Sequence, residues 1–212
     1  MPAERPGPAG GVRDKNRRMR LDALCRAALP LFLARGLNEV TIDEIVERAG
    51  IAKGSFYRYF EDKEDLVVTL FAPLTTLLRD ALAKCTSAAS RAESADDLAM
   101  PYLELASTFA KAVETHPDLM RLYLQESRAP ATGARRPVRE LSDEIAARAL
   151  ALGMEARKHD LFRDLDPHVV TLLIVGAAER LLYEQLTKKR LGDPSEVASA
   201  LVSVVIEGLR AR

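Results

Sequence analysis

Apolar residues recur at the spacing of α-helices along most of this 212-residue chain, and beyond Lys63 no segment alternates like a convincing strand. We therefore predict an all-α fold. Helices are predicted over residues 63–84, 94–115, 119–127 and 138–152, with loops at 88–91 and 128–137. Two more helices open at Asp166-Pro167 and Asp193-Pro194, where Asp is the N-cap and Pro takes the first helical position. The mixed pattern of residues 153–165 predicts no single element.

A short amphipathic helix is predicted to begin at Thr41 and to end in a glycine turn. The Thr41 hydroxyl can accept a hydrogen bond from a free amide of the first turn, and Glu44 completes a capping box. Val40 and Ile45 have the spacing of a hydrophobic staple. Gly50 follows the last apolar position, where many helices end in a left-handed residue. Together these signals predict that a second helix follows after a tight turn.

The second helix of the pair is predicted from Ala52 to Phe60, and its composition suits DNA. Phe56 and Phe60 share one face and are expected to pack inward. The residues left for the other faces are Lys53, Ser55, Tyr57, Arg58 and Tyr59. A tyrosine ring can pack on a sugar while its hydroxyl donates to a phosphate, and the first residues of a recognition helix point at base edges. An ordinary helical hairpin with solvated charges has the same spacing and is the alternative.

A run of basic residues precedes this helix-turn-helix, although the formal net charge of the whole chain is zero. Seven basic and two acidic residues lie between Arg13 and Arg35, and the run includes the adjacent pair Arg17 and Arg18. Such a run supplies the part of DNA affinity that depends on salt and not on sequence. The alternative is a solvated N-terminal tail that has no partner.

The stretch from about Arg17 to Leu66 resembles, without a gap, the DNA-binding domain of the tetracycline-repressor (TetR) family of bacterial regulators. The matching residues are Ala27, Ala28, Leu31, Phe32, Gly36, Thr41, Ile45, Ala49, Gly50, Lys53, Gly54, Ser55, Phe56, Tyr57, Tyr59, Phe60, Lys63 and Leu66. Ala52 departs from the family, which often has a Ser N-cap there. Pro30 also departs, because it lies inside the preceding helix and removes one backbone hydrogen bond. Neither departure removes a side chain expected to contact DNA.

The resemblance implies roles on DNA for individual residues. It implies that Lys53 and Gly54 approach the bases, since a residue without a side chain lets the backbone come close. Phosphate contacts are implied for Thr41, Ser55, Tyr57, Tyr59 and Lys63. Arg58 falls at a variable position of the family, so we expect it to contribute to the choice of operator.

Three parts of the chain follow from the pattern and the resemblance together. Residues 1–13 are expected to form a flexible arm, and residues 14–66 a three-helix DNA-binding domain. Residues 67–212 are expected to form a larger helical domain for ligand binding and dimerisation. Hydrophobic residues make up 48% of the chain, which indicates a folded protein and not a disordered one.

The location and the cofactors of the protein are also constrained. Residues 1–11 lack the apolar core of a signal peptide, and the longest apolar run, Val169 to Ala178, is shorter than the ~20 residues that span a bilayer. Cys25 and Cys85 are the only cysteines, and their spacing fits neither a zinc site nor a redox pair. We expect a cytoplasmic protein near the bacterial nucleoid, with no metal, no cofactor and no membrane partner.

The two C-terminal helices are apolar on more than one face, which is more than one neighbouring helix would cover. We expect two such helices from each subunit to form a four-helix bundle in a homodimer. The predicted interface residues are Leu173, Ala177, Leu181, Val197, Leu201 and Val204. Burial of both helices in the core of a monomer is the alternative.

By the resemblance, the helices from Lys63 to Leu152 enclose a ligand pocket. The candidate pocket residues are Phe71, Leu74, Leu78, Met100, Tyr102, Phe109, Met120, Tyr123 and Leu124. This mixture suits an apolar ligand with one or two polar groups. For any one of these residues, plain core packing is the alternative.

The function predicted from the sequence is a homodimeric regulator, expected to be a repressor, that binds palindromic operator DNA and is released by a small, largely apolar effector. A helical enzyme is a weaker hypothesis, because no nucleophile–base set appears and His116, His159 and His168 are not spaced as ligand pairs. A third hypothesis is a DNA-binding dimer without an effector, whose C-terminal domain binds another protein.

Overall fold

The regular structure of the chain is helical wherever it is described. A computed structural model describes residues 11–158, 163–188 and 191–209. The α-helices in these ranges are α1 (Val12–Arg35), α2 (Ile42–Ala49), α3 (Lys53–Phe56), α4 (Lys63–Ala89), α5 (Ala99–Thr115), α6 (Pro117–Glu126), α7 (Arg136–Lys158), α8 (Pro167–Lys188) and α9 (Pro194–Leu209). Two short 3₁₀ segments, Asp96–Leu98 and Gly133–Arg135, precede α5 and α7. The prediction of an all-α fold is confirmed.

The start of α2 has the predicted capping box. The Glu44 N–H donates to Thr41 Oγ1 at 3.3 Å, and the Thr41 N–H donates to Glu44 Oε2 at 2.8 Å. An ion pair of 2.8 Å with Arg35, the last residue of α1, also fixes the Glu44 carboxylate. Gly50 ends α2 with φ of 67°, the left-handed conformation that favours glycine. The chain between α1 and α3 therefore turns as its sequence predicts.

Helix α3 is shorter than predicted. It runs from Lys53 to Phe56, and the residues after it form tight turns instead of continuing to Phe60. The Arg58 and Tyr59 N–H groups bond the carbonyls three residues earlier, at 3.3 and 2.9 Å. No side chain caps the start of α3, because Ala52 has no polar group, and Gly54 weakens the helix further. Phe56 and Phe60 nevertheless face inward as predicted, with ring centroids 5.4 Å apart.

The chain divides into two compact units, at positions that differ from the predicted boundary between residues 66 and 67. The first unit holds the described residues up to Ala72 together with Gln125–Glu140. Asn38 Nδ2 donates to the Thr132 carbonyl at 3.1 Å, and Arg136 pairs with Glu64 at 3.3 Å. These contacts join residues that are far apart along the chain, so no local pattern signals them. The sequence therefore predicts only a loop for residues 128–137.

The second unit is built from the rest of α4, most of α6 and α7, and all of α5, α8 and α9. One core cluster of this unit comprises Cys85, Ala89, Ala92, Leu98, Leu152, Ala156 and Ile206. Asp166 Oδ1 accepts from the His168 N–H at 2.8 Å, and Asp193 Oδ1 accepts from the Ser195 N–H at 2.8 Å. Both predicted helix starts are thereby confirmed. Helices α4 and α7 run to Ala89 and Lys158, beyond their predicted ends.

The predicted arm and the mixed segment 153–165 are only partly within the described structure. Helix α1 begins at Val12, inside the predicted arm, and residues 1–10 lie outside the described ranges. His159 also lies outside them, as do the other residues up to 162.

One described helix, α4, is long and apolar enough to cross a membrane by length and composition alone. The core helices of soluble proteins pass the same test, and α4 buries a row of apolar side chains inside the protein. These are Leu66, Val67, Leu70, Phe71, Leu74, Leu78 and Leu82. Packing within the protein accounts for the apolar character of this helix.

Candidate DNA-binding surface and ligand cavity

The first residue of α3 carries an exposed ammonium that is already paired. Lys53 Nζ lies 2.8 Å from the Asp43 carboxylate of α2, and both side chains are more than half exposed. The hydrogen bond to Asp43 and the negative charge of that carboxylate raise the pKa of Lys53. The ammonium is therefore charged and directed outward, and any DNA contact would exchange the Asp43 carboxylate for a phosphate or a base edge.

The next residues of α3 leave open space at the surface. A Cβ placed on Gly54 would meet no heavy atom within 4 Å, and Gly54 is not among the glycines of positive φ. Neither packing nor backbone conformation therefore requires a glycine here. Tyr57 is 51% exposed, and its ring stands edge-on to Phe56 with centroids 5.4 Å apart. The buried Phe56 thus holds the ring of an outward-facing tyrosine.

A polar hollow of about 400 Å³ lies beside this surface. Side chains of Arg20, Ser55, Arg58 and Tyr59 line it, together with residues 50–52 of the turn between α2 and α3. Arg20 belongs to the basic run of α1, and helical spacing alone does not show that α1 brings it next to α3. One residue of the basic run and several residues of the helix-turn-helix therefore line the same hollow.

Thr41 has the predicted capping role, and Lys63 has a structural role that its sequence neighbours do not signal. The Thr41 hydroxyl donates to Glu44 Oε2 at 2.8 Å, and Lys63 Nζ donates to the Asn38 and Val40 carbonyls at 2.9 and 2.6 Å. Burial disfavours the ammonium and lowers the pKa of Lys63. Both side chains hold the segment between α1 and α2, so neither is simply free for a phosphate. Arg17 and Arg18 lie on α1, half-buried and exposed respectively.

The second unit contains a cavity of about 200 Å³ with an almost wholly apolar lining. Five of the predicted pocket residues line it: Leu78, Tyr102, Phe109, Met120 and Tyr123. Phe71, Leu74, Met100 and Leu124 do not, which corrects their assignment. Phe71 and Leu74 are buried in the core. Met100 is 62% exposed, because it lies two residues before Tyr102 and so about 200° around the helix from it.

Helices α8 and α9 line this cavity too, although their sequence predicts a dimer interface. Leu181, Val197 and Leu201, which are predicted as interface residues, are among the residues that line it. Leu173, Ala177 and Val204 are instead exposed. The helices were predicted to be apolar on more than one face, and the cavity accounts for one of those faces.

The outer face of α8 and α9 exposes large apolar side chains. Leu172 and Val204 are each 71% exposed and Leu173 is 67% exposed. Val169 and Tyr183 on α8 are exposed as well. Large exposed apolar side chains as close together along one helix as Val169, Leu172 and Leu173 are typical of an interaction site.

Few polar groups interrupt the apolar lining of the cavity. The Tyr123 hydroxyl donates to Glu179 Oε1 at 3.3 Å. Gln185 Nε2 donates to the Gly192 carbonyl at 2.8 Å, while Gln185 Oε1 is buried and has no hydrogen-bond partner within the described structure. Burial raises the pKa of the Tyr102 hydroxyl, which stays protonated.

The described residues contain no group of three or more His, Cys, Asp or Glu side chains that could hold a metal ion. Both cysteines are free thiols. Burial raises the pKa of Cys25 to about 11 and that of Cys85 to about 12, so both stay protonated and poorly nucleophilic at neutral pH.

A capped helix-turn-helix with an outward-facing basic and tyrosine-bearing surface, on an all-helical chain, defines a DNA-binding transcriptional regulator. Residues 24–70 match the family described as bacterial regulatory proteins, tetR family, and residues 103–182 match tetracyclin repressor-like C-terminal domains. The chain therefore belongs to the TetR family of transcriptional regulators, which are not enzymes. The resemblance seen in the sequence is confirmed.

Similar proteins agree with this family over most of the chain. The HTH-type transcriptional regulator YdgC of Bacillus subtilis (strain 168) is 26% identical over 190 residues, 88% of this chain and 90% of its own. The fatty acid degradation regulator FadR from Bacillus halodurans superposes with a TM-score of 0.68 at 21% identity, over 99% of this chain and 100% of its own. FadR from Bacillus subtilis, solved with stearoyl-CoA, gives 0.66 at 16% identity, over 88% and 98%. At these identities the structural matches show a shared fold.

Proposed function

We propose that this regulator is a homodimeric repressor that binds palindromic operator DNA and is released by a small, largely apolar effector. The outward-facing surface of α3, from Lys53 to Tyr57, is the observation that carries the proposal. On this surface an exposed ammonium, an unobstructed glycine and an exposed tyrosine follow one another within five residues. A recognition helix contacts base edges with its N-terminal residues, and Lys53 and Gly54 are the first two residues of α3.

We assign different DNA contacts to different residues of this surface. Lys53 and Gly54 would approach the bases, since both lie at the open start of α3. Contacts to phosphates are proposed for Thr41, Ser55, Tyr57, Tyr59, Lys63 and, in addition, Arg20, while Arg58 would contribute to the choice of operator. An ammonium has three N–H donors, so the two carbonyl bonds of Lys63 leave one for a phosphate. Arg17 and Arg18 would add salt-dependent attraction.

A dimer would cover the outer face of α8 and α9. Leu173, Ala177 and Val204 are exposed on that face and would meet their counterparts across a two-fold axis. Two half-sites one helical turn apart need two recognition helices held at matching spacing, which a symmetric dimer supplies. We expect this dimer to act in the bacterial cytoplasm.

An effector would occupy the cavity of the second unit. The lining is apolar with a few polar groups, as in most small-molecule sites. The stearoyl-CoA bound to the Bacillus subtilis structure of the same fold supports a largely apolar effector. The effector would bind one arrangement of the protein more tightly, and DNA would bind the other. Each ligand would therefore weaken the binding of the other.

A DNA-binding dimer without an effector is the second candidate. The cavity volume of about 200 Å³ favours it, since ligand sites are commonly about 300–1,000 Å³. The two candidates differ in whether a small molecule changes DNA affinity at all.

The test is fluorescence anisotropy with DNA from upstream of the gene for this protein, with nonspecific DNA as the control and across a salt series. We expect selective binding that weakens steeply as salt rises, because phosphate contacts release counterions. Lys53→Ala should weaken binding to that DNA, and Met100→Ala, on an exposed side chain outside the proposed surface, should not. Equal affinity of wild type and Lys53→Ala for every DNA would refute the recognition surface.

A further inference from the structure

The polar hollow beside α3 brings together two parts of the first unit that are far apart along the chain. Arg20 comes from α1, whereas Ser55, Arg58 and Tyr59 belong to α3 and to the turns that follow it. No described acidic residue lines the hollow, so the two guanidiniums give its lining a net positive charge. A concave surface with such a lining attracts anions.

Three polar side chains of this lining have no polar partner among the described residues. No hydrogen bond or ion pair joins the side chain of Arg20, Ser55 or Tyr59 to any of them. An arginine has five N–H donors, and a serine or tyrosine hydroxyl has one O–H donor. The hollow is therefore lined from two separate elements by donors that no described acceptor takes up.

A phosphate group fits these donors better than a carboxylate does. Its oxygens point in several directions, so it can accept from Arg20 and from the two hydroxyls together, whereas a carboxylate has only two oxygens. The fork of a guanidinium also matches two oxygens of a phosphate. One water occupies about 30 Å³ of liquid, so a hollow of about 400 Å³ has room for a hydrated phosphate group.

We infer that this hollow is a binding site for a phosphate group, with Arg20 of α1 as its main donor. The inference rests on the proposed function, which places the DNA backbone beside α3. In the complex, a phosphate of that backbone occupies the hollow, and Arg58 adds positive charge to the site. In the free protein, a small phosphorylated anion binds the same donors and competes with DNA. This competition takes place in the first unit, whereas the proposed apolar effector binds in the second.

DNA binding by variants of Arg20 is the first arm of the test. Arg20→Gln should weaken binding to the upstream DNA and to nonspecific DNA alike, by about tenfold, because a phosphate contact carries no sequence information. The slope of log affinity against log salt should fall by about one for each subunit on the DNA. Arg20→Lys keeps the charge but loses the guanidinium fork, so it should restore the slope and only part of the affinity.

Arg26→Gln is the matched control, because it removes the same charge from the same helix. Arg26 is exposed, does not line the hollow and lies six residues after Arg20, about 120° around the helix axis. This variant should keep the affinity and the salt slope of the wild type. The urea midpoints of all the variants should match, since both arginines are exposed.

Sodium pyrophosphate is the probe for a free anion in the second arm. DNA binding is compared in pyrophosphate and in sodium chloride at equal ionic strength, so that general screening of charges is the same. We expect the wild type to bind DNA more weakly in pyrophosphate, by about twofold once the anion reaches its own dissociation constant. We expect Arg20→Gln to bind DNA equally in the two salts.

The outcomes distinguish this inference from the proposed function. An effect of Arg20→Gln on DNA binding alone would support the site and assign its phosphate to the DNA backbone, and an effect in the pyrophosphate arm alone would assign it to free anions. Equal losses in Arg20→Gln and Arg26→Gln, or no effect of Arg20→Gln in either arm, would overturn the phosphate site. The proposed function would still stand in that case if Lys53→Ala weakened binding to the upstream DNA.

Discussion

The Lys53 ammonium of α3 lies 2.8 Å from the Asp43 carboxylate of α2, so a carboxylate of one helix holds the first side chain of the other. An exposed pair of this kind contributes little to stability. It nevertheless offsets a positive charge on the surface that we propose to contact the operator.

Removing the charge of Asp43 should strengthen DNA binding. We expect Asp43→Asn to raise affinity for nonspecific DNA, by no more than about fivefold, because an exposed ion pair is weak and Lys53 no longer has to leave it. The measurement is anisotropy at low and high salt. In a Lys53→Ala background Asp43→Asn should give a smaller gain, and an equal gain there would show that Asp43 acts by general repulsion of DNA.

A methyl group at Gly54 should separate stability from DNA binding. Gly54→Ala should raise the free energy of unfolding by about 0.5–1 kcal/mol, since the helix loses less backbone entropy and the added carbon meets no neighbour. DNA affinity should fall, because the methyl group stands between the backbone and the bases. Urea unfolding and anisotropy measure the two effects.

Gly50→Ala is the matched control for this prediction. Gly50 has φ of 67°, where a Cβ costs ~1–2 kcal/mol, so this variant should lower stability although its Cβ also meets open space. A Gly54→Ala variant that bound DNA normally would place the DNA elsewhere on the surface.

Leaving the Glu126 carboxylate without its partner should destabilise the first unit. Its side chain is 3% exposed and lies 2.6 Å from Arg135 Nε. We expect Arg135→Met to cost about 3 kcal/mol, because it leaves a buried charge unpaired. Thermal or urea unfolding measures the loss.

The exposed pair of Arg121 with Asp118, 3.9 Å apart, supplies the comparison. Arg121→Met should change stability by less than ~1 kcal/mol. Adding Glu126→Gln to Arg135→Met should restore part of the loss, and no restoration would mean that Arg135 acts through packing alone.

The capping box of α2 should weaken in acid. The hydrogen bond from Arg35, followed by those from the Thr41 backbone and hydroxyl, lowers the pKa of Glu44 from 4.5 to about 2. A pKa lowered in the folded state gives stability that is present above pH 4.5 and is lost as pH falls towards 2.

The urea midpoints of wild type and Glu44→Gln, compared across pH, measure this contribution. The gap between the two should be full at pH 7 and should close on acidification through that window. A gap that persisted at the acid end would assign the effect of the substitution to something other than the charge of Glu44.

A charge on the outer face of α8 should prevent dimerisation. Leu173→Glu places a carboxylate on a side chain that is 67% exposed in one chain, so the fold of the monomer should survive while a two-fold contact would bury two like charges. We expect sedimentation to shift from a dimer towards the 23.3 kDa monomer. Met100→Glu, at an exposed apolar residue on α5, should leave the oligomeric state unchanged.

Features set by neighbouring residues could be predicted from the sequence. Thr41 with Glu44, and Asp166 and Asp193 with the prolines that follow them, determine helix starts within one turn, and the structure has each of them. The left-handed Gly50 belongs to the same group. In these cases the hydrogen bonds that decide the structure join residues only two or three positions apart.

Features that join distant residues could not be predicted in the same way. Arg20 lies beside Arg58 only because α1 packs against the helix-turn-helix, and Lys63 is tied to Asn38 and Val40 across 25 and 23 positions. Likewise, nothing in the sequence around an apolar residue of α9 such as Val197 shows whether it lines a cavity or a subunit interface. The pattern shows only that such a residue avoids water. Whether it faces a cavity or another subunit depends on how the helices pack.

Helix α8 borders a cavity with one side and exposes Leu172 and Leu173 on the other. If the outer side pairs with a second copy, an effector that prefers one association state becomes linked by mass action to the concentration of the protein itself. The dose of effector needed to release the DNA would then depend on how many copies a cell holds. Expression level would set the threshold of the response, with no change in any residue of the cavity.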